Sequence, residues 1–184
     1  MAESKNVAVG KPRIGGAVHT ALASQNNTLP TDTTTALSGF TALGYVSADG
    51  LRNGTSMSTS EFKAWGGDTV FTAVPGKTDT FTFKLIEALN SEVLKVVYGS
   101  ENVEGSLDKG LSVSATNGDY EDRVWVFDMD LRGVLKRIVV FNAKITNVSE
   151  IVYKDDEAVG YEITITCAPN NSGITHMEYM KNKA

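Results

Sequence analysis

The chain has 184 residues, enough for one domain with a sizeable core or one domain with long arms, and it is 41% hydrophobic and 21% charged. Its net charge of −5 argues against sequence-independent grip on nucleic acid, which depends on lysines and arginines neutralising phosphates. A single cysteine, Cys167, excludes an intramolecular disulfide, and no apolar run approaches the length of a membrane span.

The N-terminal stretch MAESKNVAVGKPRIGG lacks the apolar segment of an export signal, so synthesis and folding in a reducing cytoplasm are expected. Residues 1–37 are rich in Gly, Ser, Thr, Asn and Ala, and they predict an extended arm too poor in core formers to pack alone. Within it, Leu29-Pro30-Thr31-Asp32 has the chemistry of a fixed turn. Strand signals begin at Phe40. A short β-run at residues 43–46 is closed by Ala48-Asp49-Gly50, and residues 56–65 alternate weakly (Met57, Phe62, Trp65) before Gly66-Gly67-Asp68. Residues 70–74 make the next predicted strand, and Pro75-Gly76-Lys77 a turn. From Thr80 a further strand alternates Phe81, Phe83 and Leu85 with Thr82 and Lys84.

At Leu85 the apolar spacing lengthens from two to four. Leu85, Leu89, Val93 and Val97, with Val96 beside them, make one face of a short helix over about residues 90–98. Asn90 is its N-cap, Glu92 puts negative charge in the first turn, and Gly99 stops it. Leu89, Val93 and Val97 are expected to pack this helix on the sheet.

Residues 99–110 read as a Gly- and Ser-rich loop, residues 111–115 as a modest strand, and Asn117-Gly118-Asp119 as a turn. Residues 124–129 are apolar on both parities, as in a strand covered on both faces. Asp130-Leu131-Arg132-Gly133 turns the chain into strands over residues 134–141 and 145–153. Lys154-Asp155-Asp156-Glu157 turns it again, and residues 161–167 return with clean alternation of Tyr161, Ile163, Ile165 and Cys167. Pro169 ends that strand. The expected fold is mainly β: two packed antiparallel β-sheets, a sandwich or partial barrel over residues 38–169, flanked by one short α-helix. An extended N-terminal arm over residues 1–37 and a polar tail over 170–184 complete it.

No constellation supports catalysis, so no enzyme is expected. His19 and His176 are the only histidines and fall in the predicted arm and tail, where neither would be held rigidly enough for a catalytic arrangement. One cysteine and two distant histidines do not supply zinc spacing, and Asp128-Met129-Asp130 and Asp155-Asp156-Glu157 lack the ligand ladder of a calcium loop. Gly10-Lys11-Pro12-Arg13-Ile14-Gly15-Gly16 is neither a Walker A nor a dinucleotide fingerprint. No metal and no cofactor are expected. Cys167 reads as a small buried hydrophobe, and Trp65 and Trp125 as packing or intersubunit residues. Between Glu101 and Asp130 eight acidic residues face only Lys109 and Arg123, the pattern of a solvated surface.

Four stretches in this order, LPTDTTTAL (29–37), LGYVSADGL (43–51), AWGGD (64–68) and TFTFKLIEALNSEVLKVVYG (80–99), resemble the major tail tube proteins of long, non-contractile-tailed (siphovirus-type) bacteriophages. The resemblance runs from about Gly10 to Pro169 and implies a structural virion protein. Its subunits would self-assemble into homohexameric rings that stack into a tube, an acidic conduit for genome ejection. It implies tape-measure and tail terminator or tip proteins as partners, genomic DNA that passes without specific binding, no membrane span, and a place in the virion tail after assembly in the host cytoplasm. Leu29, Pro30 and Asp32 would then belong to an assembly arm. Asp49, Glu61 and Asp68 would be lumen-facing carboxylates, since captured phosphates would add friction and an acidic wall repels the duplex. The alternative is a carbohydrate- or host-binding β-sandwich, a virion decoration or adhesion module, which would be a monomer with exposed aromatics on loops.

Overall fold

The protein is described by a computed structural model that covers residues 2–25 and 27–183; Met1, Asn26 and Ala184, which fall in the expected arm and tail, lie outside the described residues. Eleven strands follow one another as β1 (Gly10–Pro12), β2 (Val18–Leu22), β3 (Thr41–Ala42), β4 (Arg52–Lys63), β5 (Thr69–Leu85), β6 (Val103–Ser106), β7 (Gly110–Val113), β8 (Arg123–Leu131), β9 (Val134–Val148), β10 (Tyr161–Cys167) and β11 (His176–Asn182), with one helix, α1 (Ser91–Tyr98), between β5 and β6. The fold is mainly β, with two antiparallel sheets. Nine strands form the larger sheet in the order β3-β2-β8-β9-β10-β5-β4, with β1 continuing along β8 and β11 along β9; β6 and β7 form the smaller one.

β5 and β8 are not neighbours in the larger sheet, yet Phe81 stacks on Phe127 at 5.3 Å and Phe83 meets Trp125 edge-on at 5.6 Å. The sheet therefore folds back on itself and encloses its core between two layers. The period-two pattern of β10 does what it predicts: Tyr161, Ile163, Ile165 and Cys167 are buried and the residues between them are half-buried. β8 is buried at six consecutive positions. Trp125 and Phe127 point into the main core, whereas Val124, Val126 and Asp128 lie on the opposite parity, where Arg137 links Asp128 to the N-terminal segment at Asp32 and Thr35.

Part of the segment expected as an extended arm is joined to the body. Val18, Thr20 and Ala21 of β2 are buried, and β2 pairs with β8 from Val18↔Phe127 to Leu22↔Arg123. The tail is likewise not free: β11 pairs with β9 from His176↔Val140 to Asn182↔Val134. In both cases the composition is polar, but a strand needs only one apolar parity and a neighbour with unpaired backbone to join a sheet.

The helix is where the period change places it, with one correction. Asn90 caps it by accepting a hydrogen bond from the Glu92 N–H at 3.0 Å, and Gly99 (φ 96°) ends it by donating its N–H to the Lys95 carbonyl. Val93, Leu94, Val96 and Val97 are buried. Leu89 is 73% exposed and does not pack the helix on the sheet. It precedes the cap, in the turn between β5 and α1, so the helical spacing from Leu85 to Leu89 crosses residues that are not helical.

A turn and a loop are also corrected. Pro75-Gly76-Lys77 is not a turn but part of β5, which runs unbroken from Thr69 to Leu85. The β4–β5 register shifts here, with Ser58 across from Gly76 and Ser60 from Ala73, so Val74 and Pro75 share one partner in a bulge. A bulge is where a strand tolerates a residue without an N–H. The loop expected over residues 99–110 holds β6 and the first residue of β7, paired from Val103↔Val113 to Ser106↔Gly110.

Candidate functional site

The strongest functional feature is a hairpin whose outer part is exposed on both faces. All twelve residues of β4 are exposed, and so is β5 through Lys77 apart from half-buried Ala73 and the undescribed Pro75 side chain. Beyond Ser56 the two strands leave the body, and eight residues at about 3.3 Å each carry the tip roughly 25 Å outward. Both faces meet solvent and β4 is the outermost strand of the sheet, so its outer backbone groups are free to pair. The hairpin nevertheless carries apolar side chains at its far end. Phe62 and Phe71 face each other across the strands with ring centroids 5.8 Å apart, and Trp65 at the tip is fully exposed. Gly66 and Gly67 make the tip turn with φ of 115° and 100°, a conformation open to glycine.

The hairpin is tied to the body at Asp79, which is 3% exposed. Its carboxylate accepts hydrogen bonds from Thr55 Oγ1 at 2.6 Å and Thr175 Oγ1 at 2.5 Å, and His176 Nδ1 lies 3.7 Å away. Burial alone would raise this carboxyl; the bonds from Thr175 and Thr55, with Lys77 and His176 nearby, outweigh it and hold it below the ordinary value. His19 and His176, expected in mobile ends, thus sit in β2 and β11. Asp79 and Thr175 both approach Nδ1 of His176, whereas a proton relay through imidazole uses its two nitrogens in turn. The cluster reads as an anchor for the hairpin base.

A second feature is the face of β4, β5, β10 and the end of β9 that turns away from the core. Opposite buried Phe81, Phe83, Ile163 and Ile165 it presents Ser56, Ser58, Ser60, Thr80, Thr82, Thr146, Thr164 and Thr166, parity by parity. Thr82 and Thr164 share a hydrogen bond at 2.9 Å, and Thr146 and Thr166 another at 2.8 Å. Its charges are paired as well: Arg52 with Glu162 at 2.6 Å and Lys84 with Glu157 at 2.8 Å. The bond from Lys84, joined by Lys154, draws the Glu157 carboxyl down to about 2. Lys144, across from Thr166, is the cation on this face without a carboxylate within salt-bridge distance among the described residues.

The carboxylates expected at a lumen do not form one group. Asp49 lies in the turn before β4, where it accepts from Ser47 Oγ at 3.1 Å. Glu61 and Asp68 flank the hairpin tip, Glu61 accepting from Thr69 Oγ1 at 3.4 Å and the Asp68 carbonyl from the Ala64 N–H. Glu61 lies on the parity opposite the hydroxyl face. The hydroxyl face itself escapes a reading of the sequence for charge, although the alternation of Thr80, Thr82 and Thr164, Thr166 with buried residues signals it.

In the N-terminal segment Pro30 is buried, Leu29 is partly exposed, and Asp32 caps its own turn by accepting the N–H groups of Thr34 and Thr35. Those backbone bonds, Thr35 first, hold the Asp32 carboxyl well below the usual carboxylate range. Arg137 fixes this turn to the body. It is 2% exposed, forks onto Asp128 with bonds of 2.7 and 2.8 Å, and donates from Nη1 to the carbonyls of Asp32 and Thr35. Beside them His19 has a buried Nδ1 with no hydrogen-bond partner among the described residues. Burial keeps its pKa below the ordinary value, Arg137 and Arg13 add to this, and Asp128 opposes it. Cys167 is buried, and burial pushes its thiol up to about 12. No helix among the described residues is long and apolar enough to cross a membrane.

A protein whose most distinctive features are an unpartnered hairpin and a bonded hydroxyl surface is built to be part of something larger. The phage tail tube protein family model matches residues 7–184, and the chain belongs to that family, a structural component of the phage tail. Among solved structures, the cryo-EM structure of the anti-feeding prophage cap, a tube-terminating cap, is similar at 11% identity over 98% of this chain and 100% of that one, with a TM-score of 0.41. A comparison with curated proteins finds no match.

Proposed function

We propose that this chain is the repeating subunit of a siphovirus-type tail tube, assembling as hexameric rings that stack into a conduit for genome ejection. The carrying observation is the β4–β5 hairpin, exposed on both faces yet tipped with Phe62, Phe71 and Trp65. Isolated two-stranded hairpins are marginal in water, and exposed aromatics at a hairpin end gain by burial against another copy. The tape-measure and the terminator or tip proteins are the partners this reading implies, with assembly in the host cytoplasm.

The hydroxyl face is our choice for the conduit wall, in place of Asp49, Glu61 and Asp68. A wall along which DNA slides needs few free cations to capture phosphates. On this face two of the cations are already matched by carboxylates and four of the threonine hydroxyls by one another. The net charge of −5 per subunit adds a weak general repulsion.

The alternative, a carbohydrate-binding decoration module, draws on one observation, the bare indole of Trp65 on a loop tip. Light scattering against concentration, with negative-stain microscopy, separates the two. Tubes or rings that grow with concentration are expected. A strict monomer with glycan affinity would replace the tube reading by the alternative.

A further inference from the structure

The tip of the hairpin is a knob, and the body carries a hole that its own knob does not fill. Val7, Val9 and Ile14 flank β1, and with Leu135 after the β8–β9 turn they line an open groove of about 740 Å³. Ile14 is fully exposed and Val7 and Val9 are mostly so. The groove is held open by backbone: β1 pairs with Met129, Asp130 and Leu131 of β8, and Arg132 donates to the Val7 carbonyl. Its rim carries Lys11, Arg13, Arg132 and Lys183; Asp128 takes Arg13 and Asp130 takes Lys183, each at 3.6 Å, which leaves Lys11 and Arg132 as the cations without a carboxylate in salt-bridge distance among the described residues. The knob is the complement. Trp65 and the Phe62–Phe71 pair supply aromatic surface, and the tip carries two carboxylates, Glu61 and Asp68, against one lysine, Lys63.

We infer that the hairpin tip of one copy seats in the groove of a second copy, with Trp65 among Val7, Val9 and Ile14 and beside the Arg132 guanidinium. The inference deepens the assembly reading proposed above and rests on it. An indole in an aliphatic groove buries apolar area from both partners, and the nearby Arg132 adds attraction to the ring face. A groove of this size takes an aromatic side chain with room for its neighbours. The contact is heterologous. The hairpin ends the sheet at β4, whereas the groove lies along β1 and the β8–β9 turn, so each docked copy still offers a free knob at one side and a free hole at the other. Such a contact propagates instead of closing in pairs.

Head-to-tail docking has a signature that mixing reveals. Trp65→Ser removes the knob and keeps the hole, and Val9→Asp with Ile14→Asp spoils the hole and keeps the knob. All three positions are on the surface, so each variant should keep the wild-type melting temperature, which is measured first. The wild type is expected to form tubes, and each variant alone to stop at one discrete small particle. The two variant particles, prepared separately and then mixed, should join into particles of twice the mass that grow no further, read by analytical ultracentrifugation. Tubes from either variant alone, or no doubling on mixing, overturn the inference while wild-type tubes leave the assembly reading standing. A wild type that stays small at every concentration overturns the assembly reading and this inference with it.

Discussion

Asp128 and Arg137 hold the N-terminal segment far more firmly than its composition suggests. Arg137 turns one edge of its fork, Nε and Nη2, on Asp128 and its Nη1 on the carbonyls of Asp32 and Thr35, so the charge is buried beside its partners. Arg137→Met would leave the Asp128 carboxylate to Arg13 at 3.6 Å and strand two carbonyls, and a loss of about 3 kcal/mol is expected by denaturant unfolding. Titration adds a second test. His19 has a folded-state pKa below its ordinary 6.5, so the unfolded chain binds its proton more readily. Stability therefore falls as pH drops through about 6.5. His19→Asn should flatten the melting temperature between pH 7.5 and 5.5; an unchanged slope would remove His19 as the cause. Asp79 acts in a lower window. Its depressed carboxyl contributes stability above the unfolded value of 3.8, lost as pH falls through the folded value, so Asp79→Asn should lower stability at neutral pH by an amount that shrinks on the acid limb.

At the scale of elements, the helix and the hairpin make opposite predictions about stability. Val93 is fully buried, so Val93→Asp places an unpaired charge in the core and should lower the melting temperature severely. Leu89→Asp, four residues earlier, should change stability by no more than about 0.5 kcal/mol because Leu89 faces water. Asn90→Ala loses the cap bond to Glu92 and should cost about 1 kcal/mol. These three values, read from chemical denaturation, check the helix boundary residue by residue. The hairpin contributes nothing to the core, so replacing residues 56–77 by a two-residue turn should keep the melting temperature while abolishing tubes. A large drop in melting temperature would mean that the hairpin packs on the body after all.

The whole molecule is a sheet with one face dedicated to the core and part of the other to bonded hydroxyls. If that second face lines the conduit, cations placed on it act collectively, because every subunit repeats them and phosphates pass each in turn. Ser58→Lys, Thr80→Lys and Thr166→Lys together should leave tubes intact and slow DNA ejection at low salt, with recovery at high salt as screening shortens the attraction. The matching variant with lysines at Asp49, Glu61 and Asp68 serves as comparison. Slowing in that set and not in the first would return the wall to the carboxylates.

Much of the fold was legible because local chemistry and global packing agree in the C-terminal half. Val124 to Met129 reads as a doubly covered strand, Tyr161 to Cys167 as a one-faced strand, and Asn90 to Gly99 as a capped helix, and each is so. The assembly surface was less legible. In β4, the serines and threonines of RNGTSMSTSEFK announce neither a hairpin free on both faces nor a wall. The termini misled for the same reason: β2 and β11 look like arm and tail until β8 and β9 offer them open edges. The sequence by itself determined the periodicities, caps and turns, because these depend on contacts a few residues apart. Only the tertiary structure decided that Arg137 reaches back to Thr35, that Asp79 meets Thr175, and that Trp65 ends up touching nothing, because those facts depend on which distant segments the closing sheet brings together and which it leaves bare.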